Sequence, residues 1–213
     1  MPPGAIVTVE QLENGNFSHY SVCADVYIYG SASSPDVAAD LSNQINGIWN
    51  NSFPSSPTTS RFSYQEGSPV EFNISFIHVS IDEAKALADG NTDKSVNFLK
   101  IVSDESTNSF FEGNSGVLNL LQNSERGFTT GAHEIGHMMG FSSQYTDNTH
   151  LTDEFMQEGF NGTIPIMYSG GTFTNQLDQR VRTSADVQGL NIWNAVWEGN
   201  GYIGESINNK IHE

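Results

Sequence analysis

Apolar residues occupy every second position along part of residues 18–29. These residues are Val22, Ala24, Val26 and Ile28. A period of two is typical of a β-strand that buries one face. The pattern therefore predicts a strand here, and Cys23 within it is expected to be a small buried or half-buried side chain.

Residues 34–50 carry apolar residues at intervals of three and four, which is the spacing of one face of a helix. The stripe consists of Val37, Leu41, Ile45, Ile48 and Trp49. Ser34 and Asp36 are residue types that favour the start of a helix. We expect a helix whose apolar stripe, including Trp49, packs into the core of the domain.

The other predicted elements are short. They are strands at 71–80, 96–102 and 116–121, a helix at 82–89, and a helix with a broad apolar face at 183–197. Residues 103–115 are predicted to form a loop, and residues 51–60 have the composition of a linker. Strands interspersed with helices in this order predict an α/β or α+β sheet domain.

Composition narrows the classes of function. The chain has 213 residues, of which 37% are hydrophobic, and this suffices for a folded core. Acidic residues outnumber basic ones by 25 to 8, and the net charge of −17 opposes nucleic-acid binding. A single cysteine permits no internal disulfide, so any bound metal is expected to be held by His, Asp or Glu.

The pattern predicts neither a signal peptide nor a membrane span, because no basic region precedes an apolar stretch and no run of eighteen apolar residues occurs. Ser, Asn and Gly are abundant and Lys is rare, which favours an exported protein. Of the two locations that the sequence leaves open, the cytoplasm and the outside of the cell, we therefore expect a secreted or extracellular protein, a mature or excised domain whose signal lies outside this chain.

The sequence TTGAHEIGHMMGF at 129–141 contains His133-Glu134-x-x-His137. Four residues of a helix advance about 400° and about 6 Å, so both imidazoles project from one face, where a zinc ion can bridge them. Glu134 is offset by about a third of a turn, which suits it to take a proton from the water that the metal activates. An ordinary amphipathic helix with two histidines would show the same spacing.

The string HEIGHMMG resembles the first eight positions of HExxHxxGxxH/D, the signature of the metzincin zinc peptidases. The segment TIPIMYS at 163–169 resembles the Met-turn of that superfamily, in which Met167 would lie beneath the metal. Tyr168 follows Met167 directly, and packing is its expected role. The combination of the HExxHxxG helix with the Gln-Tyr-Thr-Asp stretch at 144–147 also resembles peptidase domains at the ends of large bacterial surface or effector proteins.

The resemblance implies an α+β, zincin-like fold. Its expected parts are a twisted mixed sheet with an antiparallel edge strand at 116–121, a backing helix at 34–50, and a smaller subdomain that holds the Met-turn and the helix at 183–197. It implies one catalytic domain, with an upper subdomain at 1–140 and a lower subdomain at 141–213.

The sequence departs from the signature at the third metal ligand, because Ser143 occupies the position of the expected His or Asp. Gly140 stands where a left-handed residue would end the helix and return the chain toward the metal. His150 is the preferred third ligand, since leishmanolysin-like metzincins also read Gly-Phe-Ser here and take a histidine from beyond an insertion. Asp147 is the alternative, followed by Asp153, Glu154 and Glu158.

The loop at 146–154 also admits two other interpretations. It is either a solvated acidic loop or a calcium site built from Asp147, Asn148 and Asp153, because calcium prefers oxygen ligands. Of the remaining histidines, His19 and His212 lie near the ends of the chain and are interpreted as surface residues, and His78 is interpreted as a structural or surface residue. Trp193 and Trp197 lie on the apolar face of the predicted last helix and are expected to pack there.

We therefore expect a monomeric zinc endopeptidase with one catalytic Zn²⁺ held by His133, His137 and His150, and with Glu134 as general base and acid. Its partner would be a protein or peptide substrate, bound extended and antiparallel to the strand at 116–121. Ser143 favours an alternative, a catalytically inactive metzincin-fold module for binding or adhesion. A zinc amidase that acts on a non-peptide bond is a third hypothesis.

Overall fold

The computed structural model is an α+β structure in which helices lie on a mixed β-sheet. It describes residues 5–11, 17–50, 63–64, 68–91, 96–125, 129–140, 164–165, 180–181, 202–203 and 209–213. In these residues no helix has both the length and the apolar character that crossing a membrane requires.

The elements are as follows. The strands are β1 (Ala5–Gln11), β2 (Phe17–Tyr29), β3 (Ser63–Tyr64), β4 (Ser68–His78), β5 (Asn97–Val102), β6 (Phe110–Glu112), β7 (Ser115–Asn119), β8 (Ile164–Pro165), β9 (Arg180–Val181) and β10 (Tyr202–Ile203). The helices are α1 (Pro35–Asn50), α2 (Ile81–Gly90), α3 (Leu120–Glu125) and α4 (Thr129–Met138). The strands predicted at 18–29, 71–80 and 96–102 and the helices predicted at 34–50 and 82–89 are confirmed, with ends that shift by a few residues.

The long strand β2 organises the sheet. One of its edges pairs with β4 in parallel, and its other edge pairs antiparallel with β1 along its first half and parallel with β5 along its second half. From β5 the sheet continues through the parallel strand β7 to the antiparallel strand β6, and β10 pairs antiparallel with β1. Parallel strands need crossover connections, and α1, α2 and the loop before β6 lie in those connections.

The apolar side of β2 faces the main core. Val22, Val26 and Ile28 are fully buried there, together with Leu41, Ile45 and Trp49 of α1 and with residues of α4. Ser34 caps α1, because its Oγ accepts a hydrogen bond of 3.1 Å from the N–H of Val37. The predicted core role of the stripe is confirmed for these α1 residues, and Cys23 is half-buried as expected.

A polar stripe on α1 covers the outer edge of β4. Asn46 bonds to both the N–H and the carbonyl of Ile74, each at 2.8 Å, and Asn50 bonds in the same way to Phe72. The amide side chains occupy the hydrogen-bonding positions of a further strand, which protects this edge from pairing with another chain. The contacts also fix α1 against the sheet.

The prediction for residues 103–121 was wrong in two respects. The segment predicted as an edge strand is β7, which lies inside the sheet between β5 and β6 and ends at Asn119, where α3 follows. The predicted loop contains β6, and this three-residue strand is the antiparallel edge of the sheet. A strand of three residues, of which one is buried, is too short to show an alternating pattern.

The opposite face of the sheet carries α2 and the C-terminal residues. A capping box starts α2, in which Ser80 accepts from the N–H of Glu83 and the Glu83 carboxylate accepts from Ser80. Asn209, at a φ of 47°, accepts at Oδ1 from the side-chain amides of Asn91 and Asn114, each at 2.7 Å. The C-terminal residues are thereby tied to two loops at the N-terminal end of β5, the one that precedes β5 and the one that precedes its parallel neighbour β7.

The surface role predicted for His212 was wrong. Its ring packs edge-on against Phe110 of β6 at a centroid distance of 5.2 Å, and its backbone N–H donates to the buried Tyr29 hydroxyl at 2.8 Å. Burial, followed by the charges of Lys210 and Lys100, lowers the pKa of this imidazole. By contrast, His78 is exposed at the end of β4, in agreement with the surface prediction.

Candidate metal centre

Helix α4 carries the HExxH motif and is buried on nearly every side. It contacts α1, α3, β6 and β7, and every residue from Thr129 to Gly136 is buried. Two of its ten residues are glycines, which are weak helix formers. Burial of the whole helix, and not local propensity, therefore stabilises this element.

The beginning of α4 is set by α3. The N–H of Gly131 donates to Oδ1 of Asn123 at 2.9 Å, and Asn123 is itself 2% exposed. A backbone N–H in the first turn of a helix has no partner within that helix, so a side-chain acceptor from a neighbouring element satisfies it. This bond fixes where the motif helix starts.

The two histidines of the motif lie together, as their spacing predicts. The Nε2 atoms of His133 and His137 are 3.1 Å apart, and the two rings are perpendicular with centroids 4.7 Å apart. His133 is 7% exposed and His137 is half-buried, so the pair opens to solvent on the side of His137. Two ring nitrogens at this distance can share either a proton or a metal ion.

The geometry of the pair fits a zinc ion. Zinc binds histidine nitrogen at about 2.0–2.1 Å, and two nitrogens on a tetrahedral centre are then about 3.3 Å apart. The observed 3.1 Å is close to this separation, and it is reached through Nε2 on both rings. The donor set also suits zinc, because imidazole is among its preferred ligands.

Glu134 follows the first histidine and is 7% exposed. The residue lies on the helix at about 100° from His133, so it is displaced from the shared face of the histidines. The arrangement places two imidazoles and one carboxylate next to each other on the buried helix.

The helix ends as predicted at a left-handed glycine. Gly140 has a φ of 92°, which disfavours a side chain, and its N–H donates to the His137 carbonyl at 2.9 Å. The last helical bond before it joins Met139 to Ile135 at 3.0 Å. The chain therefore turns directly after the second histidine.

The other predicted site residues lie outside the described residues. This holds for Ser143, Asp147, His150, Asp153, Glu154, Glu158, Met167 and Tyr168, and also for Asn148 and the predicted helix at 183–197. In the described ranges, no group of three or more His, Cys, Asp or Glu side chains is placed to hold a metal ion. The third ligand and the Met-turn therefore stay predictions, as does the division of the chain at residue 140.

The edge strand β6 lies beside α4 and borders the site. Asn119 braces the loop before it, because its side-chain amide donates to the carbonyls of Asp104 and Thr107 at 2.6 and 2.7 Å. Hydrogen bonds from the Ser106 N–H and from the hydroxyl and N–H of Thr107 hold the pKa of Asp104 at about 2. The edge strand is thus attached to a rigid turn.

Gly116 allows β6 to approach β7 closely. A Cβ at this position would overlap the carbonyl oxygen of Phe110 and would come within 2.9 Å of Cδ2 of Phe111. A glycine next to a serine in a short strand gave no sign of this role in the sequence. The sequence likewise does not predict that the indole N–H of Trp49 donates to the Ala132 carbonyl of α4. Its pattern indicates only that Trp49 is buried.

Searches against protein-family models, curated proteins and solved structures found no match. The site must therefore be interpreted from its own chemistry.

Proposed function

We propose that this protein is a zinc-dependent endopeptidase of metzincin type. The observation that carries the proposal is the pair of Nε2 atoms, 3.1 Å apart on a buried helix, with the Glu134 carboxylate in the next position. Met-turn-like residues at 163–169 support it from the sequence. The zincin-like character of the fold belongs to the same proposal.

His133 and His137 would hold the ion through Nε2, and His150 would complete the protein ligands, with Asp147 as the alternative. Bound zinc supplies a Lewis acid that acidifies water and polarises a peptide carbonyl. A site with three protein ligands leaves a fourth position for water or substrate. The neutral charge of three imidazoles would leave the full charge of the ion available for this chemistry.

Glu134 moves the proton. Its carboxylate takes a proton from the water whose oxygen attacks the scissile carbonyl carbon, and it later passes that proton to the leaving amine nitrogen. One C–O bond forms, one C–N bond breaks, and the carboxylate returns to its original state.

An extended peptide would pair with the outer edge of β6. Among the described strands, β6 pairs with β7 alone and forms the end of the sheet next to α4. Backbone hydrogen bonds to such an edge hold an extended chain irrespective of its side chains. The sequence predicted that substrate pairs with the strand at 116–121. The proposal instead assigns this role to β6, which precedes that strand.

One feature of the sequence favours a second function. Ser143 replaces the signature ligand, and a site with only two imidazoles would bind zinc weakly. In that case the chain would be a metzincin-fold module for binding or adhesion without hydrolytic activity. The two proposals differ in metal content and in activity.

The test is to purify the chain, measure zinc per chain by elemental analysis, and follow cleavage of an unfolded protein with and without a chelator. The peptidase proposal expects about one zinc per chain and cleavage that stops with the chelator and returns with added zinc. A chain that binds no zinc and cleaves nothing contradicts it and supports the module. Full zinc loading without cleavage of any peptide favours a zinc amidase.

A further inference from the structure

Trp49 links the backing helix to the motif helix. Its side chain is fully buried at the last turn of α1, and its indole N–H donates to the backbone carbonyl of Ala132 at 3.1 Å. Ala132 immediately precedes His133 in α4. A carbonyl oxygen has two lone pairs, so this bond adds to the helical bond of Ala132 and does not replace it.

Helix α1 also packs closely against the turn of α4 that contains Gly131 and Ala132. A Cβ built on Gly131 would lie 3.2 Å from Cδ1 of Ile45, which shows how closely α1 and α4 approach. The N–H of Gly131 is bonded to Asn123 of α3. The indole bond therefore joins a turn that is already in close contact, and it sets the rotation of that turn about the helix axis.

The donor itself is held rigidly. The indole ring packs against Phe72 of β4 at a centroid distance of 5.1 Å. Asn46 and Asn50, on either side of Trp49 in α1, are bonded to the backbone of β4 at 2.7–2.8 Å. The sheet thus fixes α1, and Trp49 transmits that position to the residue before the first histidine.

Metal ligands tolerate little displacement, since ligand distances in working sites hold to within about 0.2 Å. We propose that Trp49 is a positioning residue for His133, which uses its indole N–H to set the orientation from which Nε2 binds the metal. The inference rests on the proposed zinc site. It assigns to the tryptophan a role beyond filling the core.

The test removes the N–H and keeps the shape. Site-specific replacement of Trp49 by its benzothiophene analogue substitutes sulfur for the indole N–H, and Trp49→Phe serves as a second variant. Zinc affinity is measured by competition with a chromophoric chelator, and the Co²⁺-loaded protein is examined by its d–d absorption bands. We expect affinity to fall about 10–100-fold, as for other partners that orient a ligand, and the cobalt bands to shift.

Asn91→Ala is the matched control, because it removes buried hydrogen bonds to Val96 and Asn209 on the face of the sheet that carries α2, away from α1 and α4. It is expected to lower the thermal midpoint but to leave zinc affinity and the cobalt spectrum unchanged. Zinc binding by the benzothiophene variant that equals the wild type overturns the inference, as does an equal loss of affinity in Asn91→Ala. Failure of the wild-type chain to bind zinc instead refutes the proposed function itself.

Discussion

The Nε2 atoms of His133 and His137 lie 3.1 Å apart, one helical turn from each other on α4. Their rings are perpendicular, and the first of them is buried against the core. Two imidazoles held this way in a protein interior have lost most of their freedom to separate. In the proposed zinc site, folding of the domain would therefore already have ordered these two side chains before the metal binds.

Replacement of one ligand should abolish tight zinc binding. Loss of a residue that only orients a metal ligand lowers affinity roughly 10–100-fold, and we expect His137→Ala to weaken zinc affinity by more than this. The variant should also lose the rise in thermal midpoint that bound zinc gives. Affinity is measured by chelator competition. His78→Ala, which removes an exposed histidine of β4, is the control and should bind zinc as the wild type does. Equal zinc binding by His137→Ala and wild type would refute the assigned ligand.

The close approach of β6 and β7 predicts opposite effects for two glycine substitutions. Gly116→Ala should destabilise the fold by about 1–3 kcal/mol, because the new methyl group overlaps the Phe110 carbonyl and crowds Phe111. Gly47→Ala in α1 meets nothing within 4 Å and should stabilise by about 0.5–1 kcal/mol through helix propensity. Urea unfolding measures both. If Gly116→Ala leaves the free energy of unfolding unchanged, β6 can move away from β7 at little cost, and the prediction is wrong.

The buried hydroxyl of Tyr29 leads us to expect that the protein loses stability at alkaline pH. Burial raises the pKa of its hydroxyl from 10.0 to about 12, so the folded state favours the neutral form. The stabilisation is complete below pH 10 and is lost as the pH rises toward 12. The free energy of unfolding of Tyr29→Phe should therefore fall less steeply with pH in this range. At neutral pH the variant should be less stable by about 1 kcal/mol, because it lacks the hydrogen bond from the His212 N–H.

The control for this prediction is Val26→Ala, a core substitution on the same strand that removes no titratable group and should keep the wild-type slope. Free energies of unfolding are measured in urea at several values between pH 8 and 12. Identical slopes for Tyr29→Phe and wild type would mean that the hydroxyl ionises without hindrance in the folded state.

Local patterns in the sequence predict the elements that bury a regular face. The alternation around Val26 and the helical stripe through Leu41 and Trp49 depend only on neighbours in the chain, and the structure confirms both elements. The HExxH spacing similarly predicts that His133 and His137 meet, because helix geometry alone brings them together.

Long-range pairing could not be predicted in the same way. The strand β6 has only three residues, which is too few to show a pattern. The strand β1 pairs with the two-residue strand β10, which lies almost two hundred positions later in the chain. The place of His212 near the end of the chain predicts a surface role, whereas a cluster of asparagines around Asn209 brings it onto the sheet. These contacts depend on which residues the whole fold brings together.

Hydrolysis by a Glu134→Ala variant, measured beside its zinc content, tests the central claim most directly. The proposed mechanism predicts about one zinc per chain, as in the wild type, because His133 and His137 are intact, together with loss of nearly all cleavage of an unfolded protein substrate. A zinc-loaded variant that still cleaves at the wild-type rate would contradict the assignment of Glu134 as the proton carrier and the peptidase proposal with it.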